Sequence, residues 1–300
     1  MLSKMELRVI QTNDNGVFGG TFCNDFEYTY SGVSYRVRIE QQLKREWIIA
    51  TDSVVECIEL FNMFAFLDQL LFIFDGRFYP VEIAEIIDEN ENPLMYKHQV
   101  DHYFNYRLPV YNSRDICKHT WMKLINFSDI EFESVLTDWS LINEELDIAY
   151  PMFMYCLSDI PMPVDCKIAN LIEIAKPLGE IVEKKNKKFS MPRSENNKLT
   201  LKNALKALID EFGQEIFKVE INSKYYDLLT SFVNTRNKIS HVKSQRNKNC
   251  LDGKQCVFYT AKLSIMYRVI LYSILNIDIN IYNYKLKEAI SKWDAWYYKN

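Results

Sequence analysis

The stretch Phe232-Val233-Asn234-Thr235-Arg236-Asn237-Lys238-Ile239-Ser240-His241 reads as a helix with two unlike faces. At 100° per residue, Leu228, Phe232, Thr235, Ile239 and Val242 fall within about 80° of arc and form a stripe to be buried. Asn237 and His241, at i and i+4, share the opposite, polar face. Arg236 lies at the border, with a side chain long enough to reach along the surface. Lys238, Lys243, Arg246 and Lys248 add positive charge close by. His241 is therefore off the apolar side, where a packed histidine would sit.

Working outward, the 3.6-residue period continues on both sides. It predicts helices over residues 128–157 (broken at Pro151), 164–185 (bent at Pro177), 200–217, 223–242, 254–275 and 284–296. The basic, polar run KKNKKFSMPRSENNK at 184–198 reads as a mobile loop. Toward the N-terminus the period changes to two. Phe26, Tyr28 and Tyr30 alternate with polar residues, Ser31-Gly32 supplies a turn, and Val33, Tyr35, Val37 and Ile39 alternate again, which is an antiparallel hairpin. Further strands are expected at 7–11, 79–87 and 102–110. One helix, from Ser53 as N-cap to about Phe74, is expected to end at Gly76. The fold class is α+β, a β-rich domain over residues 1–126 followed by an α-helical domain over 127–300.

The charge divides along the same line. Up to Cys166 there are about 12 Lys and Arg against 27 Asp and Glu, a net of roughly −15. From Lys167 onward there are about 24 against 13, a net of roughly +11. A basic C-terminal half points to an anionic partner, nucleic acid first; the alternative is attraction between the two halves.

Of 300 residues, 48% are hydrophobic and 25% charged, and Gly and Pro number 8 each, which excludes collagen-like and broadly disordered chains. The most apolar stretch, residues 61–74, contains Asp68 and is too short to span a bilayer, so no membrane association is expected. The first residues lack the apolar core of a signal peptide. Seven cysteines without a C-x-x-C pair suit free thiols in a reducing compartment, and the expected location is the cytoplasm.

Arg, Asn and His are the residue types of phosphodiester chemistry. A histidine near its free pKa takes a proton from an attacking hydroxyl or gives one to a leaving oxygen. A guanidinium holds a phosphate at two points and stabilises the charge developing there. An Asn fixes a tautomer or orients the phosphate. Five positions on a helix place Arg236 and His241 about 140° apart, a poor convergence within one chain. A second copy across a two-fold axis would supply two Arg and two His around one cleft.

An R-x4-H motif with Asn after the Arg, late in a helix of a small helical domain, resembles the HEPN superfamily. The helix Leu199-Thr-Leu-Lys-Asn-Ala-Leu-Lys-Ala-Leu-Ile209 before the motif and the apolar 258–275 helix after it are similar to those of ApeA-like HEPN proteins. A β-rich domain ahead of the helical one is similar as well. The resemblance implies a metal-independent endoribonuclease with a composite, homodimeric site, used in anti-phage defence (abortive infection) or as a toxin. It makes Arg236, Asn237 and His241 catalytic, Lys238, Lys243, Arg246 and Lys248 RNA-binding, and calls for no cofactor and no metal. The RNA 2′-hydroxyl would be the nucleophile, leaving a 2′,3′-cyclic phosphate or 3′-phosphate. The acidic N-terminal domain would sense a trigger, from a phage or from a regulatory or neutralising protein. The alternative in a different class is a non-catalytic HEPN module that binds RNA or serves as a scaffold.

Other signals carry less. Arg114 and His119 repeat the spacing, but Asp115 beside the Arg would repel a phosphate. His98 and His102 would ligate a metal only on a helix, and the surrounding pattern reads as strand or loop. The 184–188 lysine run suits an RNA-backbone contact or a solvated helix end equally. Trp293, Trp296, Tyr297 and Tyr298 read mainly as packing, with base stacking or a seam between copies as alternatives.

Overall fold

The computed structural model describes residues 4–12, 21–42, 44–106, 123–146, 148–158, 162–223, 225–241 and 249–299. By contacts the chain divides into two units, one made mainly of the chain up to Ile130 and the other of the chain from Glu131 onward.

The first unit is an antiparallel sheet with a helix on one face. Strands β1 (Met5–Gln11), β2 (Phe22–Tyr30), β3 (Val33–Gln41), β4 (Arg45–Thr51) and β5 (Val81–Ile87) lie in the order β2-β3-β4-β1-β5. The expected hairpin is present, with Tyr30 opposite Val33 and Phe26 opposite Val37. Ser31 and Gly32 have φ of 50° and 80°, the two positive values of a primed turn, whose twist matches that of the strands it joins. Tyr35, Val37 and Ile39 alternate inward, as do Trp47 and Ile49 of β4 and Leu7 and Val9 of β1.

Helix α1 (Cys57–Asp75) covers that face, with Phe64 edge-on to Trp47 at 5.2 Å. It starts three residues later than expected, with no side-chain cap at Glu56, and ends at Gly76, whose φ of 73° lets its N–H reach the Phe72 carbonyl at 2.8 Å. At 19 residues α1 is longer than the 61–74 stretch and, by length and composition alone, apolar enough to cross a membrane. Most of it is nevertheless buried within the protein, as in the core helix of a globular unit.

Two expectations fail here. Residues 102–110 read as a strand, but 107–110 lie outside the described residues, and 102–106 belong to the helix α2 (Lys97–Tyr106). Val100, Tyr103 and Phe104 are its buried positions, at i, i+3 and i+4, and the two rings stack on or meet edge-on Phe61 of α1. The second is β4, an unanticipated strand near the middle of the sheet. Its first inward position is Arg45, which breaks the apolar alternation that marks a strand.

Arg45 is 1% exposed. Its guanidinium donates to Gln41 Oε1 at 2.6 and 2.8 Å and to Asp75 Oδ2 at 2.7 Å, and lies 3.7 Å from Asp68 Oδ1. Lys123 reaches Asp75 at 3.3 Å, and Gln11 donates to Asp68 while accepting from the Trp47 indole at 2.9 Å. Burial alone would raise the Asp75 carboxyl, but Arg45 and Lys123 outweigh it and hold the group below the ordinary carboxylate value of 3.8.

The second unit is helical. It comprises α3 (Phe132–Leu146), α4 (Ala149–Leu157), α5 (Val164–Lys185), α6 (Leu201–Phe212), α7 (Lys218–Ile221), α8 (Tyr225–Ser240), α9 (Gly253–Ile274) and α10 (Ile279–Tyr298). The expected 128–157 segment is two helices, with Pro151 in the first turn of α4, where its missing N–H costs nothing. The expected 200–217 helix stops at Gly213. Helices α5 and α9 form the centre, and the Tyr267 hydroxyl donates to the Leu171 carbonyl at 2.6 Å. Lys262 is wholly buried between Glu220, at 2.9 Å, and Asp294, at 2.8 Å.

The run at 184–198 is anchored. Phe189 and Met191 are buried, the Met191 N–H donates to Glu183 at 2.6 Å, and Arg193 pairs with the same carboxylate at 2.7 Å. The apolar Phe189 and Met191, set among lysines and asparagines, are what tie it down.

Candidate functional site

Helix α8 is held by the side that its sequence periodicity makes apolar. Leu228, Leu229, Phe232 and Thr235 are buried, and the Phe232 ring meets Tyr259 of α9 edge-on at 5.2 Å. Of the expected stripe, Ile239 is only half-buried and Val242 lies outside the described residues. Thr235 Oγ1 accepts from the Leu251 N–H at 2.8 Å, and Asn234 donates to the Asn249 carbonyl at 3.0 Å. These two bonds tie the end of α8 to the start of α9, whose first turn is closed by a capping box between Asp252 and Gln255.

With Thr235 fixed inward, Arg236 and Asn237 emerge at the rim, both half-buried. The Arg236 Nη1 donates to Asn237 Oδ1 at 3.0 Å and lies 3.3 Å from His241 Nε2. Its Nε donates to the Glu173 carboxylate of α5. The Arg236 side chain keeps 21% of its surface exposed and that of Glu173 42%, so the cluster is in reach of solvent. His241 is exposed.

The expected separation of Arg236 and His241 is thus corrected: one chain brings them together. Helix α8 ends at Ser240, so His241 lies one residue beyond it, with its N–H still on the Asn237 carbonyl at 3.2 Å. Past the helix end, the side chain is not bound by the 100° step, and the long Arg236 folds back to meet it. A guanidinium only donates, so in this contact Nε2 is the acceptor and the ring proton of a neutral imidazole sits on Nδ1. Such a ring has its lone pair on the atom that faces Arg236, and an anion that drew the guanidinium away would leave that lone pair free to take a proton.

Glu173 was not anticipated. It comes 63 residues before Arg236, in the run Asn170-Leu-Ile-Glu-Ile-Ala175, where it is the one acid among apolar neighbours. That interruption was the available signal. Pro177, four residues on, has no N–H to give to the Glu173 carbonyl, so α5 lacks a ladder bond at this turn.

Of the expected RNA contacts, Lys238 is exposed on α8 next to the cluster. Lys243, Arg246 and Lys248 lie outside the described residues, as do Arg114 and His119. His98 and His102 do share a helix, contrary to the strand-or-loop reading, but His98 stacks on Tyr96 at 5.8 Å. Among the described residues no group of three or more His, Cys, Asp or Glu is arranged to hold a metal. Tyr297 stacks on Phe258 at 4.2 Å, which bears out packing as its role.

Residues 166–278 match the family described as Apea-like HEPN, a span that takes in most of α5 and all of α6 to α9, and with them Glu173, Arg236, Asn237 and His241. No curated protein and no solved structure matches the chain.

Proposed function

Starting from an Apea-like HEPN domain at residues 166–278, we propose that this protein is a metal-independent endoribonuclease with Arg236, Asn237 and His241 as its catalytic group. The observation that carries the reading is the 3.3 Å approach of a guanidinium to an exposed imidazole, a phosphate clamp beside a proton acceptor. An RNA phosphate displaces part of the Arg236 contact set and takes two N–H donors in return. His241 Nε2 then removes the proton of the 2′-hydroxyl as that oxygen attacks phosphorus. The bond from phosphorus to the 5′-oxygen breaks, and the products are a 2′,3′-cyclic phosphate and a 5′-hydroxyl. Asn237 keeps the guanidinium oriented, and Glu173, which holds its Nε, acts as a positioning residue.

The 5′-oxygen needs a proton as it leaves. Among the described residues one chain offers a single imidazole here, so a second copy, bringing a second His241 to the same phosphate, completes the acid–base pair. The homodimer is part of this proposal on chemical grounds, because convergence of Arg and His does not require it. An anti-phage or toxin role in the cytoplasm, with the acidic N-terminal unit answering to a trigger or a neutralising protein, extends the same reading.

A second reading is favoured by one contact. Arg236 is already engaged by the Glu173 carboxylate, which offsets part of its charge and suits a module that binds RNA without cutting it. Total cellular RNA incubated in EDTA with the purified protein and with its His241→Ala variant decides between them. New fragments ending in cyclic or 3′-phosphate from the parent alone support the nuclease. A gel shift without cleavage by either supports the binding module, and equal cleavage by both removes His241 from the site.

A further inference from the structure

The Arg236 cluster occupies one end of α8, and the open side of that helix runs back to an aromatic ring in its first turn. Tyr226 is 74% exposed. Lys202 of α6 places its Nζ 3.4 Å from the ring centroid and donates to Thr230 Oγ1 at 2.9 Å. The Thr230 hydroxyl in turn donates to the Tyr226 carbonyl at 2.9 Å. The adjacent Tyr225 is fixed by a 2.8 Å bond from its hydroxyl to Asp210. A ring so placed is held without being covered.

The charge at this spot is unspent. Lys206, one turn further along α6, is paired with Asp210. Lys202 has a ring and a hydroxyl as its partners and, among the described residues, no carboxylate within ion-pair distance. Its ammonium has three protons, and Thr230 takes one. Asp227, the neighbouring acid, lies 100° round the helix from Tyr226.

Tyr226 and Asn237 are eleven residues apart, which at 100° per residue is three turns plus about 20°. The ring and Asn237 therefore share one face of α8, about 16 Å apart along its axis, with Arg236 at the border of that face about 80° to one side. That distance corresponds to about five stacked nucleotides at 3.4 Å each.

We propose that Tyr226 and Lys202 form a base-stacking subsite for the single-stranded RNA whose scissile phosphate lies at Arg236. The free face of the ring takes a nucleobase, and Lys202 takes the adjoining phosphate. Aromatic stacking accepts any base, so the subsite adds affinity and sets a minimum substrate length without imposing a sequence. The inference rests on the RNA reading of the Arg236 centre and on the net positive charge of the C-terminal half.

The test uses the full chain carrying His241→Ala, so that RNA is bound and not cut, with fluorescence anisotropy of a labelled single-stranded 12-mer and a labelled trinucleotide in EDTA. Adding Tyr226→Ala is expected to weaken the 12-mer about tenfold and to leave the trinucleotide unchanged, while Tyr226→Phe keeps the parent affinity. Lys202→Gln is expected to lower the salt dependence of 12-mer binding by about one counterion. Equal 12-mer affinity with and without Tyr226→Ala overturns the subsite while leaving the RNA reading in place. No binding of either RNA by the His241→Ala parent overturns the RNA reading and the subsite with it. A lower molecular mass for Tyr226→Ala in light scattering assigns the ring to a contact between copies and overturns the subsite.

Discussion

Two arginines, one in each unit, are gripped by carboxylates and differ in what surrounds them. Arg45 is sealed between the sheet and α1, with Gln41, Asp68 and Asp75 around its guanidinium and Tyr79 4.9 Å away. Arg236 has Glu173, Asn237 and His241 around it and stays partly in water. A buried guanidinium must have permanent partners, because an unpaired charge in the interior is costly. A guanidinium at the rim exchanges partners at little cost, which is what a phosphate clamp requires. Burial, rather than the presence of a carboxylate, separates a structural arginine from an available one.

The largest effect expected from this contrast is on stability. Arg45→Ala leaves Asp68 and Asp75 in the interior without their main cation and should destabilise the N-terminal unit by about 3–5 kcal/mol, read by chemical denaturation. An unchanged denaturation midpoint would mean that the network is no part of the folded core. Next is His241→Ala, expected to slow RNA cleavage at least about 100-fold with the thermal midpoint kept, since an exposed side chain is removed. Glu173→Gln should lower kcat about tenfold while KM stays level or falls, because the guanidinium loses its orientation and gains free charge. A rise in KM alone would make Glu173 a substrate contact.

A smaller effect separates the units by pH. The Asp75 carboxyl is held below its unfolded value, so its contribution to stability is complete above the ordinary carboxylate range. It disappears as the pH falls through 3.8 and below. The N-terminal unit should therefore lose stability there in the parent, and Asp75→Asn should remove that part of the acid dependence. Acid profiles that coincide for the two proteins would remove Asp75 from the account.

The same two arginines mark where reading from sequence succeeds. The Ser31-Gly32 hairpin and the helix over 164–185 were legible because period and turn chemistry are local signals. β4 was not, because Arg45 occupies an inward position that only the distant Asp68 and Asp75 make tolerable. The second half of α2 reads as a strand from residue 102, since Val100, Tyr103 and Phe104 offer one short helical repeat among polar residues. At the candidate site, Arg236, Asn237 and His241 stand together in sequence and could be found. Glu173 arrives from another helix, and the meeting of Arg236 with His241 depends on α8 ending at Ser240, a matter of one residue.

The most direct test pairs two readings on one variant, Arg236→Ala in the full chain. The expected result is a loss of stability of about 1 kcal/mol, as for an ion pair that stays partly in water, together with loss of RNA cleavage in EDTA. Unfolding comparable to that of Arg45→Ala, or cleavage at the parent rate, would contradict it.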